Sequence, residues 1–142
     1  YDPAWRILAV VELDESGTTF RYELGADGDL AIKRVGWAVF SAGEIQGRLG
    51  IYWIEGYGGG LFVPFKDSTN RGKSYGGGRY LVDTIKGADL GAGHDNFLLD
   101  FNYAYNPSCA YHPRWVCPLA PAENGLAFAV TAGERRFAEA EY

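Results

Sequence analysis

The sequence predicts an all-β fold, an antiparallel sandwich or small barrel with a long irregular Pro/Tyr-rich segment towards the C-terminus. Short runs rich in β-branched and aromatic residues recur every few positions through the first half. Turn-forming Gly, Asp, Asn and Ser separate them. Apolar residues do not recur at a helical period over a normal helix length.

Residues 5–13 form the first β-rich run, ended by Asp14-Glu15-Ser16-Gly17. Residues 18–24 alternate large apolar with polar side chains, as a half-buried strand does. Asp27-Gly28 is a hairpin signal, and residues 30–41 resume the β pattern. Residues 45–54 carry Leu49, Ile51 and Trp53 at period two, before a break at Gly58-Gly59-Gly60. Residues 61–65 are short and apolar, and Pro64 marks that strand as an edge or a bulge. A polar loop fills 66–78, and residues 79–83 and 96–103 are the next strands, with an exposed excursion over 84–95. Four prolines make 104–124 irregular, residues 126–131 read as a last strand, and 134–141 as a short helix. With no internal repeat, low-complexity tract or linker, a single domain over 1–142 is expected.

The chain has 142 residues, 13 basic and 18 acidic, for a net charge of −5; 47% are hydrophobic and 22% charged. That balance excludes intrinsic disorder. An acidic chain without a Lys/Arg cluster argues against nucleic acid as a partner, and no apolar run approaches membrane-spanning length. The oligomeric state is not readable. Tyr1 opens a chain that lacks methionine, so a processed or truncated N-terminus is expected. Two cysteines are fewer than a disulfide-dependent secreted scaffold carries, which leans towards a cytoplasmic location.

Two groups of residues carry a family resemblance. The first is Leu61-Phe62-Val63-Pro64-Phe65-Lys66-Asp67-Ser68-Thr69 with Tyr75 and Gly78-Arg79-Tyr80-Leu81. The second runs from Leu99-Asp100-Phe101-Asn102 through Ala104-Tyr105-Asn106-Pro107 and Cys109-Ala110-Tyr111 to Cys117-Pro118-Leu119, Pro121 and Glu123-Asn124. With Asp2-Pro3-Ala4-Trp5-Arg6 and Ala132-Gly133-Glu134-Arg135 they span essentially the whole chain, which resembles the domain-of-unknown-function 1684 family. The resemblance implies no activity. It implies fixed positions at Asp67, Thr69, Tyr75, Arg79, Asp100, Asn102, Tyr105, Asn106, Cys109, Tyr111, Cys117, Glu123 and Asn124. The chain departs from the family pattern at Gly72, one residue later than usual, at Ala120 for a proline and at Gly125 for an arginine; His112 occupies a position the family does not fix.

Several constellations can carry chemistry. Cys109, His112 and Cys117 form a C-x2-H-x4-C cluster, which binds zinc if His94, Asp100 or Glu123 completes the tetrahedron. The same cysteines can close a disulfide, remain reduced apolar fillers, or supply a nucleophile with His112 or His94 as base. Asp67, Asp100 and Glu123 sit beside aromatics, where burial raises a carboxyl pKa and sets up acid/base work. The same residue types also pin irregular backbone through its amides, and pinning is the reading we favour. Arg79, after three glycines, can clamp a carboxylate or phosphate in a bidentate fork or pair internally with Asp67 or Asp100.

The leading expectation is a cleft between the 66–80 loop and the 100–124 segment that binds a small polar or anionic molecule. Arg79 supplies charge, Tyr75, Tyr80 and Tyr105 the walls, and Asn102 and Asn106 hydrogen bonds. No cofactor is expected, zinc at the Cys/His cluster being the exception. One alternative is a hydrolase using the three carboxylates or zinc in that cleft; another is a structural or protein-interaction subunit.

Overall fold

The computed structural model describes residues 1–55, 60–83 and 96–137. Its strands are β1 (Arg6–Leu13), β2 (Thr19–Glu23), β3 (Asp29–Ala42), β4 (Ile45–Glu55), β5 (Leu61–Phe65), β6 (Arg79–Asp83) and β7 (Asn96–Asp100). They form one antiparallel sheet in the order β6-β5-β4-β3-β1-β7, with β2 also on β3. The sheet curls into a half-barrel, so the fold is all-β. Among the described residues the only helical segments are short 3-10 turns, and no helix is long and apolar enough to cross a membrane.

The long strand β3 changes the face it buries. Ile32 pairs with Ile54 and Ala38 with Leu49, but the register slips by one residue between Arg34 and Gly36. Side chains alternate along a strand, so one extra residue turns every later side chain to the other face. Leu30 and Ile32 are buried with Tyr52, Ile54, Phe62 and Tyr80, under Phe20 and Tyr22 of β2. Ala38 and Phe40 are buried with Leu49, Ile51, Val63 and Phe65 on the opposite side. The two halves of one edge of β3 are accordingly taken by different strands, β2 on residues 29–33 and β1 on residues 36–39.

The second core needs a cover, and the irregular C-terminal segment supplies it with Phe101, Ala104, Leu126 and Val130. Phe101 lies edge-on to Phe65, Phe40 and Trp5 at centroid distances of 5.4, 5.9 and 5.8 Å. Such pairs add about 0.5–1.5 kcal/mol each beyond area burial. Backbone bonds tie the segment down: Lys66 N to Asn124 O (3.0 Å), Leu126 N to Lys66 O (2.8 Å), and a reciprocal Tyr80–Tyr105 bridge (2.8 and 2.9 Å).

Of the two alternatives for Pro64 the bulge holds: the residue lies inside the sheet, between β4 and β6, with a bulge between Phe62 and Pro64. Several other expected elements differ. Residues 101–103 turn into a 3-10 helix as Asp100 caps the Asn102 amide. Residues 126–131 are not a strand. Their apolar alternation is met by burial of Leu126 and Val130, while the Val130 amide and carbonyl bond the side chains of Asp67 and Arg79. Residues 134–137 are not helical. The expected excursion over 84–95 with His94, the break at Gly58-Gly59 and residues 138–142 lie outside the described residues.

Candidate functional site

The loop joining β5 to β6 leaves the sheet at Lys66 and returns at Arg79. Asp67 caps the 3-10 turn Ser68–Arg71: its Oδ1 accepts the Thr69 amide at 3.0 Å, while Asn70 Oδ1 accepts the Asp67 amide at 2.6 Å. Gly78 closes the loop at φ +94°, and a Cβ there would meet the Phe65 carbonyl oxygen at 2.5 Å. Only glycine tolerates both constraints. The close approach is therefore to the protein's own strand.

Arg79 enters the interior from this point and is 2% exposed. Its Nη2 donates to Asp67 Oδ2 and to the Val130 carbonyl, both at 2.9 Å. Its Nη1 donates to the carbonyls of Ala132 (2.6 Å) and Glu134 (3.2 Å). Asp67 Oδ2 also accepts the Val130 amide at 2.9 Å. Burial pulls the guanidinium below its ordinary pKa, and Asp67 opposes that shift. A buried ion pair of this kind stands only when its remaining hydrogen-bonding capacity is met, and here the tail backbone meets most of it.

The outer side of the same loop is different. A cleft of about 580 Å³ lies between residues 70–76 of the loop and residues 109–115, closed at one end by Arg136 and Phe137. The Arg136 amide donates to the Lys73 carbonyl at 3.0 Å, which lays the tail beside the loop. Tyr75 and Trp115 form aromatic walls, and the Arg114 guanidinium lies 4.5 Å from the Trp115 ring centroid. Arg71 and Arg136 line the cleft, and among the described residues neither is in an ion pair. Among the described residues no Asp or Glu lines it.

Cys109 forms part of the wall, in the 3-10 turn Ser108–Ala110. The Tyr75 hydroxyl donates to its sulfur at 3.4 Å, and the Cys109 amide donates to Cys117 Sγ at 3.3 Å. The Cys117 thiol is the larger influence holding the Cys109 pKa down to about 6, and the Tyr75 hydroxyl adds to it against the opposing effect of burial. Both cysteines are free thiols. The His112 Nδ1 accepts the Arg114 amide of its own turn. Among the described residues, no three His, Cys, Asp or Glu side chains are placed to hold a metal ion.

The three carboxylates go to three places. Asp67 is bound to Arg79, and Asp100 accepts the Tyr1 hydroxyl at 2.9 Å and the Asn102 side-chain amide at 2.8 Å. Glu123 accepts from Arg34 Nη1 at 2.6 Å and from the Tyr52 hydroxyl. Burial, and then the Glu123 contact, push Tyr52 far above the ordinary phenol range; Tyr22, whose hydroxyl donates to the Leu119 carbonyl, is pushed up to about 12 by burial and Glu123. Of the expected binding residues, only Tyr75 lines the cleft. Asn102 clasps the Asp2 backbone and Asn106 the backbone of Arg135. Tyr80 packs in the core against Phe62 and Tyr105, its hydroxyl donating to the Pro118 carbonyl at 2.6 Å.

Most of the residues shared with the expected family pattern thus join the loop, the irregular segment and the tail into one unit. The family whose model is described as "Protein of unknown function (DUF1684)" matches residues 1–135. The chain belongs to the DUF1684 family. The solution NMR structure of an uncharacterized protein from Haloarcula marismortui is similar to it, with a TM-score of 0.70 and 36% identity over 94% of this chain and 72% of that one. No curated protein matches the sequence.

In this DUF1684 chain, the cleft lies against both segments that the sequence analysis paired, but its lining includes Arg71, Arg136 and Phe137, which that analysis did not single out. Arg135-Arg136 is a visible basic pair, and Arg71 the loop's only arginine before Arg79. Their convergence depends on the tail lying beside Lys73, which no local pattern encodes. Gly125, where the DUF1684 pattern expects arginine, is exposed and bridges to Lys66 outside the cleft lining.

Proposed function

We propose that the chain is a binding domain for a small anionic molecule, taken up in the cleft between the 66–80 loop and the 100–124 segment. The observation that carries this reading is local charge. In a protein of net charge −5, the cleft presents Arg71 and Arg136 and, among the described residues, no carboxylate. A guanidinium that none of the described carboxylates pairs with is suited to a forked, charge-assisted grip on a carboxylate or phosphate. The volume lies within the span of roughly 300–1,000 Å³ found for small-molecule sites. Tyr75 and Trp115 supply flat apolar surface beside the charges, which favours an anion with a planar or hydrophobic body. A hydrolytic reading lacks that kind of support, since Asp67, Asp100 and Glu123 each serve a different set of partners away from the cleft lining.

The test is a thermal-shift and NMR titration with a panel of small carboxylates and phosphates, with and without an aromatic body. Binding to the wild type should weaken about tenfold in Arg71→Gln and again in Arg136→Gln, the loss expected for one charge-assisted contact each. If no anion in the panel shifts the wild type, or if both variants bind as tightly as it does, the reading is wrong.

A further inference from the structure

The two thiols at the cleft are not needed for the grip on an anion, and their arrangement is asymmetric. Cys109 lines the cleft, whereas Cys117 does not. The Tyr75 hydroxyl donates to the Cys109 sulfur at 3.4 Å. The Cys117 sulfur instead accepts the Cys109 backbone amide at 3.3 Å. Both are held by anchored neighbours. Cys109 is followed by buried Ala110, whose amide is bonded to the Pro107 carbonyl at 2.9 Å. Cys117 precedes Pro118, whose carbonyl accepts the buried Tyr80 hydroxyl.

From this geometry we infer that Cys109 and Cys117 are a redox-active dithiol, Cys109 attacking an incoming disulfide from the cleft and Cys117 resolving it. The nucleophile in such exchange is the thiolate, and the Tyr75 hydroxyl stabilises the Cys109 anion. In the first step Cys109 Sγ attacks one sulfur of a low-molecular-weight disulfide. The S–S bond of that disulfide breaks, a mixed disulfide forms on Cys109, and one thiolate leaves. In the second step Cys117, losing its proton to water, attacks Cys109 Sγ, and the second thiolate leaves. The protein's two thiols lose two electrons, the small disulfide gains them and becomes two thiols, and the two protons from the cysteines balance the two leaving thiolates. Cys117 Sγ already lies 3.3 Å from the Cys109 backbone nitrogen. Closure to a bond of about 2.05 Å therefore asks for side-chain rotation within a held loop.

Bis(2-hydroxyethyl) disulfide is the suitable probe because it is uncharged, so its reaction does not depend on the anion-binding reading. Incubated with the reduced wild type, it should give a protein two hydrogens lighter by intact mass, with Cys109 and Cys117 joined in the peptide map. Cys117→Ser should stop at a mixed disulfide on Cys109. Cys109→Ser should react at least about tenfold more slowly. Equal rates in the two variants, or mixed disulfides on both cysteines of the wild type without an internal bond, overturn the inference. Should a variant not fold, limiting iodoacetamide on the native wild type decides: Cys109 labelled about tenfold faster than Cys117 supports it, and equal labelling rejects it.

Discussion

The inner and outer sides of the β5–β6 loop use the same residue type to opposite ends. Inside, Arg79 is wrapped by Asp67 and by carbonyls of Val130, Ala132 and Glu134. Outside, Arg71 and Arg136 line a cleft and, among the described residues, pair with no carboxylate. The residues lie within one short stretch of loop and one tail. What separates them is where the tail backbone runs: its carbonyls at 130–134 point at Arg79, and its next residue turns Arg136 to the cleft. An arginine becomes structural when backbone acceptors surround it and available when they do not, and those acceptors come from far along the chain.

The largest effect should come from breaking the inner side. Asp67→Ala leaves Arg79 buried and unpaired and strips the Val130 amide of its acceptor. A loss of about 3–5 kcal/mol is expected, seen as a melting temperature about 10 °C lower or more. Asp67→Asn should recover only part of it, because the charge is still missing.

A second test uses pH on the reduced protein. The Cys109 environment holds its thiolate down to about pH 6, whereas an unfolded chain keeps a thiol protonated to about pH 8.5. A depressed acid pKa stabilises the fold above the unfolded value, so this contribution is present at alkaline pH and disappears as pH falls through about 6. Alkylation of Cys109 should be half-maximal near pH 6, and the mid-pH stability difference should vanish in Cys109→Ser. An alkylation midpoint above pH 8 would remove the basis for it.

The smallest effect should come from the outer side. Arg71→Gln with Arg136→Gln should change stability by no more than about 0.5 kcal/mol in chemical denaturation. A loss comparable to that of Asp67→Ala would mean the two sides of the loop are not the separate structures described here.

The sheet was legible because period-two alternation reports burial directly. The strands from 6 to 55 follow from it, while the bulge at Pro64 and the Asp27-Gly28 hairpin follow from turn and proline chemistry. Leu126, Phe128 and Val130 show where alternation misleads. They alternate because they cap a core, while their backbones bond the β5–β6 loop, Leu126 and Phe128 through backbone groups of Lys66 and Ser68 and Val130 through the side chains of Asp67 and Arg79. The polar loop and the Pro/Tyr-rich segment both line the cleft, yet of the residues expected to bind there only Tyr75 does. The cleft's charge was not legible, since a strand-entry arginine such as Arg79 looks the same whether it meets a ligand or an aspartate. The face change in β3 was also hidden, because the extra residue, Val35, is a β-branched strand former, and Gly36 beside it does not interrupt the run.

The dependence of Arg79 on carbonyls more than fifty residues downstream bears on how the chain is made. A nascent chain can lay β1 to β6 side by side while residues 130–134 are still in the ribosome. Until they emerge, the guanidinium has only Asp67, and the loop has no tail to lie against. Translation thus reaches the cleft after the sheet, and a molecule that fits the finished cleft has nothing to hold on a half-made chain.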